Sequence, residues 1–96
     1  MKIVCIARRD SAAPAESFDE LGDAEIKQAM QFAVEGFVRE IYSIADGSGA
    51  VIVAEADSVE AAKAKLDRLP FAQAGLLEIE YVPVKAYRGL AKLAEA

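Results

Sequence analysis

The chain has 96 residues, 54% of them hydrophobic, and a net charge of −5 from eleven Lys and Arg against sixteen Asp and Glu. Twenty of the apolar residues are alanine and only 28 are Val, Ile, Leu, Met or Phe, so the length allows one domain with a small core, which a partner subunit is expected to supplement. The aliphatic content excludes a disordered chain, no apolar run approaches the roughly 20 residues of a membrane helix, and an acidic centre, twelve acids against two bases between Asp10 and Glu60, repels phosphate backbones and excludes nucleic acid as the expected partner.

Residues 2–8 predict a first strand, with Ile3, Cys5 and Ala7 on one face and Val4 and Ile6 on the other. Both faces are apolar, which implies burial on both sides. This stretch is too short for a signal peptide and is interrupted by Arg8, Arg9 and Asp10, so the cytoplasm is the expected compartment. Cys5 reads as a small hydrophobe within the strand. With one cysteine and no histidine, the chain has no internal disulfide, no ordinary zinc or haem ligand set and no histidine triad. No metal and no cofactor are therefore expected, and acid–base chemistry must use Asp, Glu, Tyr, Lys or Cys. The run DSAAPAE at 10–16 is a loop by its Pro14 and small residues. Ser17-Phe18-Asp19-Glu20 has capping-box spacing, but Gly22 argues for a break, with the main helix starting near Asp23. From there Ile26, Ala29, Met30, Ala33, Val34 and Phe37 recur at helical spacing, and Gly36 is the expected C-terminal cap.

Residues 37–45 and 49–56 predict two strands joined by Asp46-Gly47-Ser48. Asp57-Ser58-Val59-Glu60 offers a second capping box, and Val59, Ala62, Leu66 and Leu69 form a helical stripe ended by Pro70. A turn around Gly75 leads to a fourth strand over 76–84 and a short terminal helix over 87–93. The order is βαββαβ with a tail. Right-handed crossovers interleave the halves into an antiparallel sheet with both helices on one face, the α+β ferredoxin-like plait. Pairing Ala45 with Ala50 places Ser43 by Ile52, Ile41 by Ala54 and Arg39 by Ala56 on the helix face. The small residues there, among them Ala45, Ala50, Ala54 and Ala56, suit close helix packing. The opposite face carries Ile44 with Val51, Tyr42 with Val53 and Glu40 with Glu55. A face lined by Val, Ile and Tyr is expected to be covered by a second copy, giving a dimeric α/β barrel with an enclosed, partly polar cavity.

In that register Glu40 and Glu55 face each other. Mutual repulsion would raise one pKa and make it a general acid or base, with Tyr42 as donor to a developing oxyanion. The competing reading leaves both glutamates solvated at the open end of the hairpin or paired with Arg39, Arg8 or Arg9, since one residue of slip moves them to the other face. Tyr81 and Tyr87 are aromatic polar groups that read as core or interface residues or as substrate contacts, Tyr87 being placed in the tail where it can close a cavity. Gly47-Ser48-Gly49 lacks the Lys and the helix of a phosphate loop and reads as a turn. Arg8, Arg9, Lys85, Arg88 and Lys92 form either a small cationic patch or an ordinary solvated surface.

The run EIYSIADGSGAVIVAEADSVEAAKAKLDRLP from Glu40 to Pro70, with Asp57-Ser58-Val59-Glu60-Ala61 at a helix start and Leu69-Pro70 at its end, resembles the central segment of the muconolactone isomerase family. The tail LLEIEYVPVKAYRGL resembles that family's closing strand. The resemblance implies a homodimer or higher homo-oligomer holding a small organic ligand, and a cofactor-free isomerase that shifts a double bond in a lactone by moving a proton. It implies Arg39 as the anchor of a substrate carboxylate. Glu40 stands where the resemblance places a histidine, which argues against muconolactone itself as substrate. Glu40 or Glu55 as base, Tyr42 as oxyanion donor, and Arg39, Tyr81 and Tyr87 as substrate contacts form the expected site. A non-catalytic binding or assembly module and a cofactor-independent monooxygenase are the alternatives on the same fold.

Overall fold

The computed structural model describes residues 1–95. Its elements are β1 (Lys2–Arg9), α1 (Ala15–Val34), β2 (Val38–Ser43), β3 (Gly49–Glu55), α2 (Val59–Leu66), a helical turn α3 (Pro70–Gln73), β4 (Leu77–Val84) and α4 (Arg88–Glu95). The antiparallel sheet has the order β2-β3-β1-β4, and α1 and α2 bury their apolar residues against one face of it. This is the expected ferredoxin-like α+β plait with a short C-terminal helix. Among the described residues no helix is long and apolar enough to cross a membrane.

The helix-facing side follows from the period of two in β1 and β3: Ile3, Cys5, Ile52 and Ala54 are buried with Phe32, Ala62, Leu66 and Leu69 of the helical layer. Burial pushes the Cys5 thiol up to about 11, consistent with a packing role rather than a nucleophilic one. The other side carries Val4, Ile6, Val51 and Val53, bordered by Tyr42, Val82 and Val84. Among the described residues nothing covers it.

Several local expectations change. α1 runs unbroken through Gly22 and starts at Ala15, eight residues before Asp23. The Ser17 capping box is not used: the helix enters from Pro14 without a side-chain cap, and Asp10 Oδ1 takes the Ala12 N–H at 2.9 Å, closing the preceding loop instead. Its buried residues are Phe18 and Phe32, whereas Ile26, Met30 and Val34 of the expected apolar face are exposed. Gly36 does terminate the helix, with φ +83°. In α2 the cap is Ser58, whose Oγ accepts the Ala61 N–H at 3.0 Å, one residue later than the Asp57 box. Pro70 opens a helical turn rather than ending a helix, because its missing N–H is harmless in a first turn.

The hairpin slips by two residues from the expected register. Ser43 pairs with Ala50, Ile41 with Ile52 and Tyr42 with Val51. The turn begins at Ile44, whose carbonyl accepts the Gly47 N–H at 2.9 Å and whose N–H donates to Gly49 O at 2.8 Å; Asp46 Oδ1 accepts the Ser48 N–H. Ala45 therefore sits exposed in the loop, not on the helix face. A slip of two keeps every side chain on its face but changes its cross-strand partner, so Glu40 lies opposite Val53 and not Glu55. A bulge between Val38 and Glu40 takes Arg39 out of the ladder.

The chain measures 57 × 27 × 19 Å with a radius of gyration of 15.3 Å, against about 12.5 Å for a compact chain of this length. In the tail Tyr87, Leu90 and Leu93 are all exposed.

Two glycines separate backbone entropy from space. A Cβ on Gly22 meets nothing within 4 Å, whereas one on Gly49 would overlap the Ala7 carbonyl oxygen of the neighbouring strand. Gly22→Ala is expected to stabilise by about 0.5–1 kcal/mol, and Gly49→Ala to destabilise by about 1–3 kcal/mol. Thermal unfolding of the two variants checks both; an unchanged Tm for Gly49→Ala would contradict the close approach of β1 and β3.

Candidate functional site

The helix layer does not seal the sheet everywhere. Ala7 and Ala50 put little side chain under the middle of α1, and Ala29 adds little from above, so a cavity of about 210 Å³ remains between α1 and the sheet. The alanines expected to draw the helix close leave it unfilled here, because both ends of α1 are held by bulky contacts. Phe18 meets Phe71 edge-to-face at 5.3 Å between centroids, and Phe32 meets Phe37 at 5.2 Å. Leu66, Leu69 and Phe71 close the inner end, Val38, Ile41 and Ile52 form one side, and Ile26 and Met30 line the α1 side, exposed at 62% and 47%.

Three polar residues line this apolar space: Glu25, Arg9 and Ser43. Glu25 is half-buried on the inward stripe of α1 that runs Phe18, Gly22, Glu25, Ala29, Phe32. Its Oε1 accepts the Phe71 N–H at 2.9 Å across 46 residues of chain, serving the first turn of α3. Burial raises its pKa above the usual carboxylate value, and this outweighs the opposing effects of the Phe71 hydrogen bond and of Arg9. No second hydrogen bond to this carboxylate forms among the described residues, which leaves Oε2 available. A carboxylate of raised pKa in an apolar wall is suited to exchange a proton with a bound molecule.

The expected site residues lie elsewhere. Glu40 and Tyr42 share the uncovered sheet face, where Tyr42 Oη donates to Glu40 Oε1 at 2.6 Å; this bond and the adjacent negative charge raise the Tyr42 pKa. Glu55 pairs with the N-terminal amine at 2.8 Å. The hydrogen bond from that amine lowers its pKa, with further lowering by the charges of the amine, Arg39 and Lys2, and this outweighs the opposing effect of desolvation. The raised carboxylate expected from a Glu40–Glu55 pair is therefore not formed by these two, because the register separates them. Tyr81 points into the helix layer, its hydroxyl buried without a hydrogen-bond partner and its pKa pushed up to about 12 by burial, with Asp67 and Cys5 adding to the rise. Tyr87 is 77% exposed in the tail. None of these five lines the cavity. Among the described residues no group of three Cys, Asp or Glu side chains is placed to hold a metal ion.

No protein-family model and no curated protein matches the chain. Solved structures do. The muconolactone isomerase structure superposes with a TM-score of 0.72 at 23% identity, covering 91% of each chain. This chain has the muconolactone isomerase fold. The 5-chloro-2-hydroxyhydroquinone dehydrochlorinase of Burkholderia phenoliruptrix AC1100, solved with 2,5-dihydroxybenzoquinone, superposes with a TM-score of 0.74 at 15% identity, covering 93% of this chain and 98% of the other.

Arg39, the anchor implied by resemblance to the muconolactone isomerase family, sits at the β2 bulge with its Nε donating to Gly36 O at 2.6 Å, outside the cavity. Of the three polar residues of the cavity, sequence singled out Arg9 only as a partner for the glutamates or a member of a cationic patch and Ser43 only as a helix-face residue of β2, and it did not single out Glu25. The signal for Glu25 was present as the one charge on the stripe Phe18, Gly22, Ala29, Phe32, which the break assigned at Gly22 obscured.

Glu25 leaves a mark on stability. Its folded pKa lies above the unfolded value of 4.5, so the folded chain holds the proton more tightly. The stability this contributes is full below 4.5 and is lost as pH rises through the raised pKa. Glu25→Gln keeps an acceptor for Phe71 and cannot ionise. Its unfolding free energy is expected to fall less than that of the parent over this window, with a Tm at neutral pH equal to or above the parent's. A parallel pH dependence in denaturant titrations would contradict the buried-carboxylate account.

Proposed function

We propose that the chain binds a small one-ring organic molecule, a lactone or organic acid, in the cavity beneath α1 and isomerises it by proton transfer through Glu25. The observation that carries this reading is the half-buried carboxylate of raised pKa in the wall of an otherwise apolar cavity. An apolar cavity of about 150 Å³ holds benzene, so about 210 Å³ suits one substituted ring. The dehydrochlorinase of the same fold was solved with such a ring, a dihydroxybenzoquinone, and muconolactone isomerase is named for a lactone.

The step balances without a co-reactant. Glu25 Oε2 takes a proton from a carbon adjacent to an unsaturated carbonyl, and the electron pair of that C–H bond delocalises onto the carbonyl oxygen as a dienolate. The resulting carboxylic acid returns the proton to a different carbon of the conjugated system, the double bond moves and the carboxylate is regenerated. Apolar walls keep the carboxylate basic, and Ser43 at the β2 side offers a hydroxyl to the developing oxyanion.

A second reading keeps Glu40 as base and Tyr42 as oxyanion donor, in a cavity closed by a second sheet. The 2.6 Å Tyr42–Glu40 hydrogen bond favours it by fixing both groups on the uncovered face. The two readings separate cleanly in kinetics on a panel of unsaturated lactones and cyclic acids. Glu25→Gln is expected to lower kcat by about 10²–10⁴ with KM nearly unchanged, while Glu40→Gln and Glu55→Gln remain within about twofold, consistent with surface positions. Loss with Glu40→Gln alone would move the chemistry to the sheet face. Turnover unaffected by all three, with only affinity altered, would make the protein a binding module.

The uncovered face supports a second copy as partner. Val4, Ile6, Val51 and Val53 form a contiguous apolar band on its two central strands, ringed by Glu40, Glu55, Glu80, Arg8 and Lys2. Such a band with a polar rim is the anatomy of an interface. Val53→Asp places a charge in its centre and is expected to convert the dimer to a folded monomer in light scattering. An unchanged mass would remove this face from the assembly.

A further inference from the structure

We propose that Arg9 is the anion anchor of the cavity and that the ligand is therefore a ring bearing one negatively charged oxygen group, a carboxylate or an enolate. This deepens the cavity reading above and rests on it.

Arg9 is the last residue of β1 and lies on the helix-facing side opposite Leu77, at the edge of the cavity. Its backbone N–H is used, donating to Ser48 O at 2.8 Å. Its guanidinium is not: among the described residues it forms no hydrogen bond and no ion pair. The contrast with its neighbour is informative, since Arg8 on the other face bonds Glu80 at 3.3 Å. The Arg9 guanidinium is instead held over two aromatic faces, 4.7 Å from the Phe18 centroid and 5.5 Å from that of Phe71. Stacking of this kind restrains the planar fork without consuming its five N–H donors. A pre-positioned fork at the edge of an apolar cavity fits the paired oxygens of a carboxylate, or a single oxyanion, through charge-assisted bonds.

Glu25 limits the charge. Its carboxylate in the same wall repels a second anionic group, so a monoanion fits and a dianion does not. The two residues are also electrostatically linked, because Arg9 partly offsets the burial that raises the Glu25 pKa. A ligand anion seated on Arg9 cancels that pull, which makes Glu25 more basic when its substrate arrives.

The test uses the full chain and benzoate, benzamide and terephthalate as probes, read from the methyl NMR signals of Ile26, Met30, Ile41 and Ile52. Benzoate is expected to bind at least about tenfold more tightly than its neutral isostere benzamide, equivalent to about 1.4 kcal/mol, and terephthalate more weakly than benzoate. Arg9→Gln should bring benzoate and benzamide within about twofold while leaving benzamide binding unchanged; Arg9→Lys, which keeps the charge but not the fork, should retain about a threefold preference. A benzoate preference that survives Arg9→Gln in a variant with parent-like backbone spectra overturns the assignment. So does equal binding of benzoate and benzamide to the parent with both shifting the cavity methyls, an outcome that leaves the cavity reading intact. If no probe shifts those methyls, the cavity reading falls and this inference falls with it.

Discussion

The placement of α1 rests on two edge-to-face phenylalanine contacts, Phe18 with Phe71 and Phe32 with Phe37. Each contributes about 0.5–1.5 kcal/mol beyond the apolar area it buries, and together they fix points fourteen residues apart, about 21 Å along the helix axis. A rigid rod held at both ends cannot sag into the sheet between them. Ala7 and Ala50 beneath its middle therefore leave space that a larger side chain would have filled. In most small domains such a void costs stability. Here one side opens to solvent between Ile26 and Ile41, so a ligand or water can occupy it.

Glu25 belongs both to the scaffold and to the cavity. With one oxygen it accepts the Phe71 N–H and holds α3, which keeps Phe71 against Phe18 and at the inner end of the cavity. Its side chain also lines a cavity whose polar lining is sparse. The hydrogen bond favours the ionised form and desolvation disfavours it; desolvation is the larger effect. A carboxylate in this balance keeps a fixed position while remaining more basic than a solvated one. Glu40 is fixed comparably by Tyr42 but lies on an exposed surface, so any burial of that pair must come from another molecule.

The sequence was most legible where local and global preferences agreed. The period of two in β1 and β3, the positive-φ glycines at 36 and 47 and the βαββαβ order were all readable from residue types, and the fold follows from them. The hairpin register was not, because the turn could start at Ile44 or Ala45 with equally good glycine placement, and only the Gly47–Ile44 and Ile44–Gly49 hydrogen bonds decide it. That difference of two residues removed the Glu40–Glu55 pair on which the expected site was built. Gly22 misled in a second way. In isolation it costs a helix about 1 kcal/mol, but Phe18 and Phe32 anchored on either side carry the helix through it. Reading the helix from Asp23 hid Phe18, shifted the apparent inward face towards Ile26, Met30 and Val34, and left Glu25 as an ordinary surface acid.

The two faces of the sheet thus divide the possible roles by burial rather than by residue type. The helix-facing side forms its cavity within one chain, with Arg9 and Glu25 on its wall and aromatic rings behind them. The opposite side is richer in charge, but there Arg8 is bonded to Glu80, Glu55 to the N-terminal amine and Tyr42 to Glu40. Charged and polar pairs at the rim of a valine-rich band suit an interface, where they orient a partner. A binding site for a small molecule needs the opposite condition, polar groups that a ligand can still satisfy. The guanidinium of Arg9, without a hydrogen bond among the described residues, and the second oxygen of Glu25 meet it beside a largely apolar cavity. The helix face therefore has the features suited to hold a ligand, and the other face those suited to a partner.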